Sequence, residues 1–194
     1  ESESRGLGDV YKRQPQAWWK LNDQTAITDS SNNGNTGTNN GATDISSGVA
    51  VIPSWKIPNA LPVPSVNYTS ALDFSSSNNE YVDIGNISYL NQAANDFTIS
   101  QWVNSDVTLP NAFNGMTIKL GSGFIYLAST NIGLRWEYEF RGSSRQNVTT
   151  GIAVSRGEWL HIAITFEGGV SKFYQNGDLK FTGVVGTTFA NSGD

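Results

Sequence analysis

In this chain of 194 residues, the side chains best suited to chemistry are two glutamates, one histidine and an aspartate-led polar loop. Glu137 and Glu139 stand two apart. On a strand that spacing puts both carboxylates on one face, roughly 6.6 Å apart along it. Paired carboxylates are the equipment of glycoside hydrolysis, in which one is protonated and the other ionised. Arg135 and Arg141 flank the pair, however. Positive neighbours favour two ionised carboxylates over one protonated acid, so a solvated charged face is the favoured reading. His161 is the only histidine and Cys is absent. No thiol nucleophile or Cys-ligated zinc is therefore available, and no Ser-His-Asp context surrounds the imidazole. A packing or hydrogen-bonding role beside Trp159 is expected for it.

Asp29-Ser-Ser-Asn-Asn-Gly34 places oxygen-bearing side chains at its first, third and fifth positions, followed by glycine. That is the first half of a calcium loop, which gathers about six to eight oxygens around the ion. The twelfth position is Asn40 rather than Glu, so the EF-hand form is excluded. An ordinary Asn/Gly turn explains the same residues, and both readings stand. Trp18, Trp19, Trp55, Trp102 and Trp159 are candidates for sugar contact. A flat ring covers the apolar face of a pyranose while polar neighbours bond its hydroxyls. Adjacent Trp18 and Trp19 would point to opposite faces of a strand and expose one ring, although most of these rings are expected in the core. Trp18, Trp19, Trp102 and Trp159 are retained as ligand-contact candidates. Asn67, Asn86 and Asn147 begin glycosylation sequons, which matter only in a eukaryotic secretory protein.

These residues need strands to position them. In Leu134–Arg141, Leu134, Trp136, Tyr138 and Phe140 alternate with charged residues, and in Trp159–Phe166, Leu160, Ile162, Ile164 and Phe166 share a face. Such alternation predicts antiparallel strands with one face in a core. Asp96–Asn104 puts Phe97, Ile99 and Val103 on one face and Trp102 on the other. Shorter strands are expected at Ala17–Leu21, Ala71–Phe74, Tyr81–Ile84, Met116–Leu120 and Phe124–Leu127. Asn176-Gly177 lies between two alternating runs and predicts a two-residue type I′ hairpin. That register pairs Gln175 with Asp178, Tyr174 with Leu179 and Lys172 with Phe181, placing Tyr174, Leu179 and Phe181 on a face with Val170. Four prolines within 45–67 mark an irregular insertion.

Composition agrees with an all-β fold. Only 15% of residues are charged and 11% are aromatic, in a chain rich in Asn, Ser, Thr and Gly, which argues against both disorder and a helical bundle. A net charge of −5 without a Lys/Arg cluster argues against nucleic acid or an anionic membrane as partner. No apolar run approaches the roughly 20 residues that span a bilayer. Residues Ser4–Gln14 (SRGLGDVYKRQ) read as a transposon adapter of DNA library preparation translated in frame, so Glu1–Gln14 is set aside as a sequencing scar on an environmental fragment.

The order AWWKLND (17–23), TDSSNNGNTG (28–37), ALDF (71–74), EYVDIG (80–85), FTISQWV (97–103), GEWLHIAITF (157–166) and KFYQNGDL (172–179) resembles the laminin-G-like jelly roll of the concanavalin A-like lectin/glucanase superfamily. The resemblance spans about 17–183 and implies a single antiparallel two-sheet sandwich over 15–194. Such domains occur in bacterial surface and phage structural proteins. Enzymes on this scaffold carry Glu-x-Asp-x-x-Glu on one strand, whereas Glu137-Tyr-Glu139 lacks the middle Asp and is followed by Arg141. The resemblance therefore implies a non-catalytic recognition or adhesion module of a larger extracellular, cell-surface or virion protein, with glycan or surface protein as partner. The alternatives are a phage tail or capsid decoration domain and a fragment of a laminarinase-like hydrolase. It also implies one structural Ca2+, with Asp29, Asn32 and Asn35 as ligands. The strand pair that follows the NG hairpin in the family has no match here. The chain is thus expected to stop short of its closing strands, leaving an unpaired edge beside Ala17–Leu21.

Overall fold

Alternation of apolar and polar residues, rather than any longer period, governs the described structure. The computed structural model describes residues 17–31, 33–45, 70–75, 78–85, 96–104, 116–120, 123–130, 133–141 and 145–184. The adapter-like stretch, Asn32, Trp55, the insertion beyond Ile45 and the expected C-terminal truncation all lie outside them. The described residues fall into two compact units, one holding 17–45 and 70–85, the other 96–184.

The first unit contains β1 (Thr38–Asn40), β2 (Thr43–Ile45), β3 (Ala71–Asp73) and β4 (Tyr81–Asp83). β1 pairs with β4 and β2 with β3, both antiparallel. Its apolar centre is small: Ile27, Ala42 and Leu72 are buried, with Trp19, Leu21 and Val82 packed against them. Gly37 bridges to Ile27, and a Cβ there would lie 2.5 Å from Ile27 Cγ2, so only glycine permits the approach. Side-chain amides do much of the remaining work. Asn39 Nδ2 donates to the carbonyls of Gln24 and Ala42, while its Oδ1 accepts from the Ala42 N–H. The strand expected at Ala17–Leu21 is instead a single bridge, Trp19 to Asp29. Leu21 turns to φ +50°, which ends any extended run.

The second unit comprises β5 (Phe97–Asn104), β6 (Met116–Leu120), β7 (Gly123–Thr130), β8 (Gly133–Arg141), β9 (Arg145–Ala153), β10 (Trp159–Glu167), β11 (Val170–Gln175) and β12 (Asp178–Val184). They form two four-stranded antiparallel sheets, β12-β11-β10-β5 and β6-β7-β8-β9. β10 lies inside the first sheet and buries Leu160, Ile162, Ile164 and Phe166 on one face. Phe97 stacks on Phe166 with ring centroids 5.4 Å apart. From the second sheet, Trp136 (1% exposed) packs on Phe173 at 5.5 Å, and its indole N–H donates to Gln175 Oε1 at 3.0 Å. A bulge presents this tryptophan. Between the pairs Arg135–Ala153 and Glu137–Thr149, β9 carries three residues against one, with Gly151 at φ +69°. Thr150 donates its hydroxyl to the Trp136 carbonyl at 2.7 Å and satisfies it inside the core.

The hairpin at Asn176-Gly177 pairs Gln175 with Asp178 and Tyr174 with Leu179, as its turn chemistry predicts. Beyond that the register shifts. A bulge opposite Phe173/Tyr174 sets Phe181 against Phe173 and Thr182 against Lys172, correcting the expected Lys172–Phe181 pair. The extra residue reverses the parity of β12, so Phe181 joins the core cluster instead of the face of Tyr174. Because β10 supplies four of the buried apolar side chains, Ile164→Ala is expected to cost about 2–5 kcal/mol in a urea melt. Glu167→Ala, exposed at the strand end, should change stability by no more than about 0.5 kcal/mol.

Candidate functional site

The core face of β10 fixes what its other face carries. Trp159, His161, Ala163 and Thr165 fall there, opposite Asn104, Trp102, Ser100 and Thr98 of β5. On β11, Tyr174 lies beside Ala163 and Lys172 beside Thr165, and β12 adds Leu179 and Thr182. The result is a floor of short hydroxyl and methyl side chains bounded at one end by aromatic rings. Trp102 and His161 meet with ring centroids 5.2 Å apart and planes tilted by 55°. Trp102, Trp159, His161, Tyr174 and Lys172 are all half-buried. Tilted rings beside hydroxyls and an imidazole offer both the apolar faces and the hydrogen-bonding groups that sugar recognition requires. Burial pushes the His161 imidazole below its ordinary value, which favours the neutral ring at pH 7.

Trp18 and Trp19 belong to the first unit. Trp18 is 47% exposed with Lys20 Nζ 5.9 Å from its ring centre, whereas Trp19 packs on the Ile27 cluster and donates its indole N–H to the Asn35 carbonyl at 2.6 Å. The backbone of Trp18 is held on both sides, its N–H by Asp29 Oδ1 at 2.9 Å and its carbonyl by the Ser30 N–H at 2.6 Å.

Asp29 is the hub of that loop. Its Oδ1 accepts the N–H groups of Trp18 and Ser31, and its Oδ2 accepts the backbone and side-chain N–H groups of Asn35. Burial pushes the carboxyl up, but the bonds from Trp18, Ser31 and Asn35 outweigh it and hold the group far below the usual carboxylate range. A carboxylate has about four lone-pair sites, and N–H groups of Trp18, Ser31 and Asn35 together with the Ser31 side chain bond to them. Asn35 turns its amide nitrogen, not its oxygen, toward the Asp29 carboxylate. Asp29 and Asn35 as arranged do not fit a calcium ion, and Asn32 lies outside the described residues. No grouping of three or more His, Asp or Glu that could hold a metal occurs among the described residues.

Glu137 and Glu139 lie inside β8, in register with Tyr126 and Phe124 of β7 and with Thr149 and Asn147 of β9. The sequence singled out Trp102, Trp159 and His161 but not Tyr174 or the floor of Thr98, Ser100 and Thr165. The signal was present in the parity of Trp102: every second residue from it shares its face.

Residues 76–194 match a laminin G family model of the concanavalin A-like lectin/glucanases superfamily. No curated protein matches the chain. Among solved structures, domain 4 of AbnA, a GH43 extracellular arabinanase from Geobacillus stearothermophilus in complex with arabinotriose, is similar at a TM-score of 0.52 and 17% identity, covering 87% of this chain and 75% of that one. The binding domain of Paraclostridial Mosquitocidal Protein 1 is similar at a TM-score of 0.52 and 16% identity, covering 90% of this chain and 42% of that one. The chain thus spans less than half of the second structure, and at these identities both likenesses bear on fold alone.

Two titrations test the electrostatics described above. A His161 pKa lowered by folding means that the unfolded chain binds the proton more readily. His161 stability is therefore full above about pH 6.5 and is lost as pH falls through the folded value. NMR titration of this single imidazole should give a midpoint below about 6.5. Asp29, also depressed, contributes above about pH 4 and loses its contribution on further acidification. Asp29→Asn should cost about 1–3 kcal/mol at pH 7, and adding calcium should leave the wild-type melt unchanged.

Proposed function

The chain belongs to the concanavalin A-like lectin/glucanase superfamily, and from that premise we propose that it is a non-catalytic module that binds carbohydrate through the outer face of the β12-β11-β10-β5 sheet. The observation that carries this reading is the aromatic corner of Trp102, His161 and Trp159 at one end of a hydroxyl-bearing floor. Aromatic surface contributes most of its energy through desolvation, and a half-buried ring needs little ordering before a sugar covers it. The complex of the similar arabinanase domain with arabinotriose supports a glycan as the ligand class. Its own likeness to this chain is one of fold.

A role as the recognition or adhesion part of a larger extracellular, cell-surface or virion protein follows from the same reading. Hydrolysis is the less favoured function. The family's three-acid pattern is incomplete at Glu137-Tyr-Glu139-Phe-Arg141, and hydrolysis needs one protonated acid that flanking arginines disfavour.

A glycan array probed with residues 15–194, with calcium and again with EDTA, is expected to show selective binding that is unchanged by EDTA. Trp102→Ala should weaken that binding by about tenfold or more, in line with the more than about 1 kcal/mol lost when a central aromatic contact is truncated. The double variant Glu137→Gln/Glu139→Gln should bind as the wild type does. A cooperatively melting protein that binds no glycan would shift the reading to a protein-binding or purely architectural role. Release of reducing sugar, lost in the double variant, would restore the hydrolase.

A further inference from the structure

Asn176 opens the two-residue turn between β11 and β12, with φ +51° there and +83° at Gly177. A type I′ turn requires positive φ at both positions, and Asn, Asp or Gly at the first would meet that requirement. Asn176 does something further. Its backbone N–H donates to the His161 carbonyl at 2.8 Å, and its side-chain Oδ1 accepts the His161 N–H at 3.0 Å. A carboxamide oxygen thus stands where a backbone carbonyl would stand if β11 ran one residue longer. The β10–β11 ladder, which ends at the pair Ile162–Gln175, gains one more rung made partly of side chain.

That rung continues the alternation that sets how His161 faces β5. In an antiparallel ladder the N–H and C=O of one residue point to the same side. Both groups of His161 point toward Asn176, so its pairing with Trp102 on the other side is of the non-hydrogen-bonded kind, in which side chains approach more closely. Across that pair the two ring centroids lie 5.2 Å apart.

We propose that Asn176 is a positioning residue for the carbohydrate face: its amide oxygen anchors His161 and thereby holds the His161–Trp102 pair in binding geometry. The inference rests on the reading of that face as the ligand surface. A turn residue would then serve the site without touching the sugar.

The test uses the full chain and two variants. Asn176→Gly keeps a permissive turn and removes the acceptor, while Asn176→Asp keeps both the turn and an oxygen. One readout needs no ligand. Hydrogen exchange of the His161 backbone amide, and the ring-current shift that Trp102 imposes on the only imidazole of the chain, report the pair directly. The other readout is affinity for the best glycan from the array. Asn176→Gly is expected to speed amide exchange, move the imidazole signals toward unshifted values and weaken binding by about 3- to 10-fold, the net worth of one hydrogen bond. Asn176→Asp is expected to retain all three. The proposal is overturned if Asn176→Gly leaves the amide protected and the ring shift intact, or if it disturbs both while affinity stays at the wild-type level. If the wild type binds no glycan, the carbohydrate reading falls by itself, and the amide and ring signals still decide whether Asn176 holds the pair.

Discussion

The burial of one face of β10 is the constraint from which the second unit follows. Leu160, Ile162, Ile164 and Phe166 point into the core, and strands on both sides pin their register. Because the side-chain period of a strand is two, a slip by one residue would exchange this set for Trp159, His161, Ala163 and Thr165. Core and candidate site are therefore one decision made twice, once for each face. The register also dictates the neighbours: Trp102 lies beside His161 because Val103 must lie beside Leu160. The opposite sheet closes the core through Trp136, whose indole N–H needs a partner once buried and finds Gln175. Gln175 directly precedes the turn residue Asn176, which grips His161. A short path of contacts thus links the deepest ring of the core to the aromatic corner on the outer face.

The first unit is organised on another principle. Its strands are three residues long and its buried apolar set is small, so burial contributes less and local polar bonds more. Asp29 condenses a loop around an anion, drawing N–H groups from three residues to one carboxylate. A cation would compete with those N–H groups for the same oxygens. Oxygen-rich sequence alone does not choose between the two. The choice lies in whether backbone N–H groups converge on the carboxylate, and convergence is a property of chain path.

That distinction marks how far the sequence could be read. β6 coincides with the expected Met116–Leu120, and β5, β8 and β10 were visible because alternation over eight or nine residues leaves few other solutions. β1 and β2 were missed, being Thr-Asn-Asn and Thr-Asp-Ile, too short and polar to show any period. β9 was missed because Gly151 and the bulge break its pattern in mid-strand. The bulge in β12 had the same effect in the other direction, converting a correct turn into a wrong partner for Lys172 two rungs away. Bulges insert single residues without a compositional signal of their own, so parity errors accumulate past them. Of the candidate site, the rings were legible as residue types and Trp102 by its parity. Their assembly into one corner depended on the β5–β10 register.

The superfamily name joins lectins and glucanases, so the scaffold does not separate binding from hydrolysis; side chains on strand faces must. Hydrolysis of a glycosidic bond needs a carboxyl that holds its proton at working pH close to one that does not. On the outer face of the first sheet of the second unit, the titratable groups along β10 are a neutral imidazole amid aromatic and hydroxyl neighbours and Glu167 at the far strand end. Such a face can desolvate a sugar ring and bond its hydroxyls, and among the described residues its strand β10 contributes a single carboxyl, Glu167. Under the proposed reading, binding energy there goes to affinity and selectivity. For a face that binds, as proposed, rigidity matters more than reactivity, and the turn amide bonded to the His161 backbone bears on it directly.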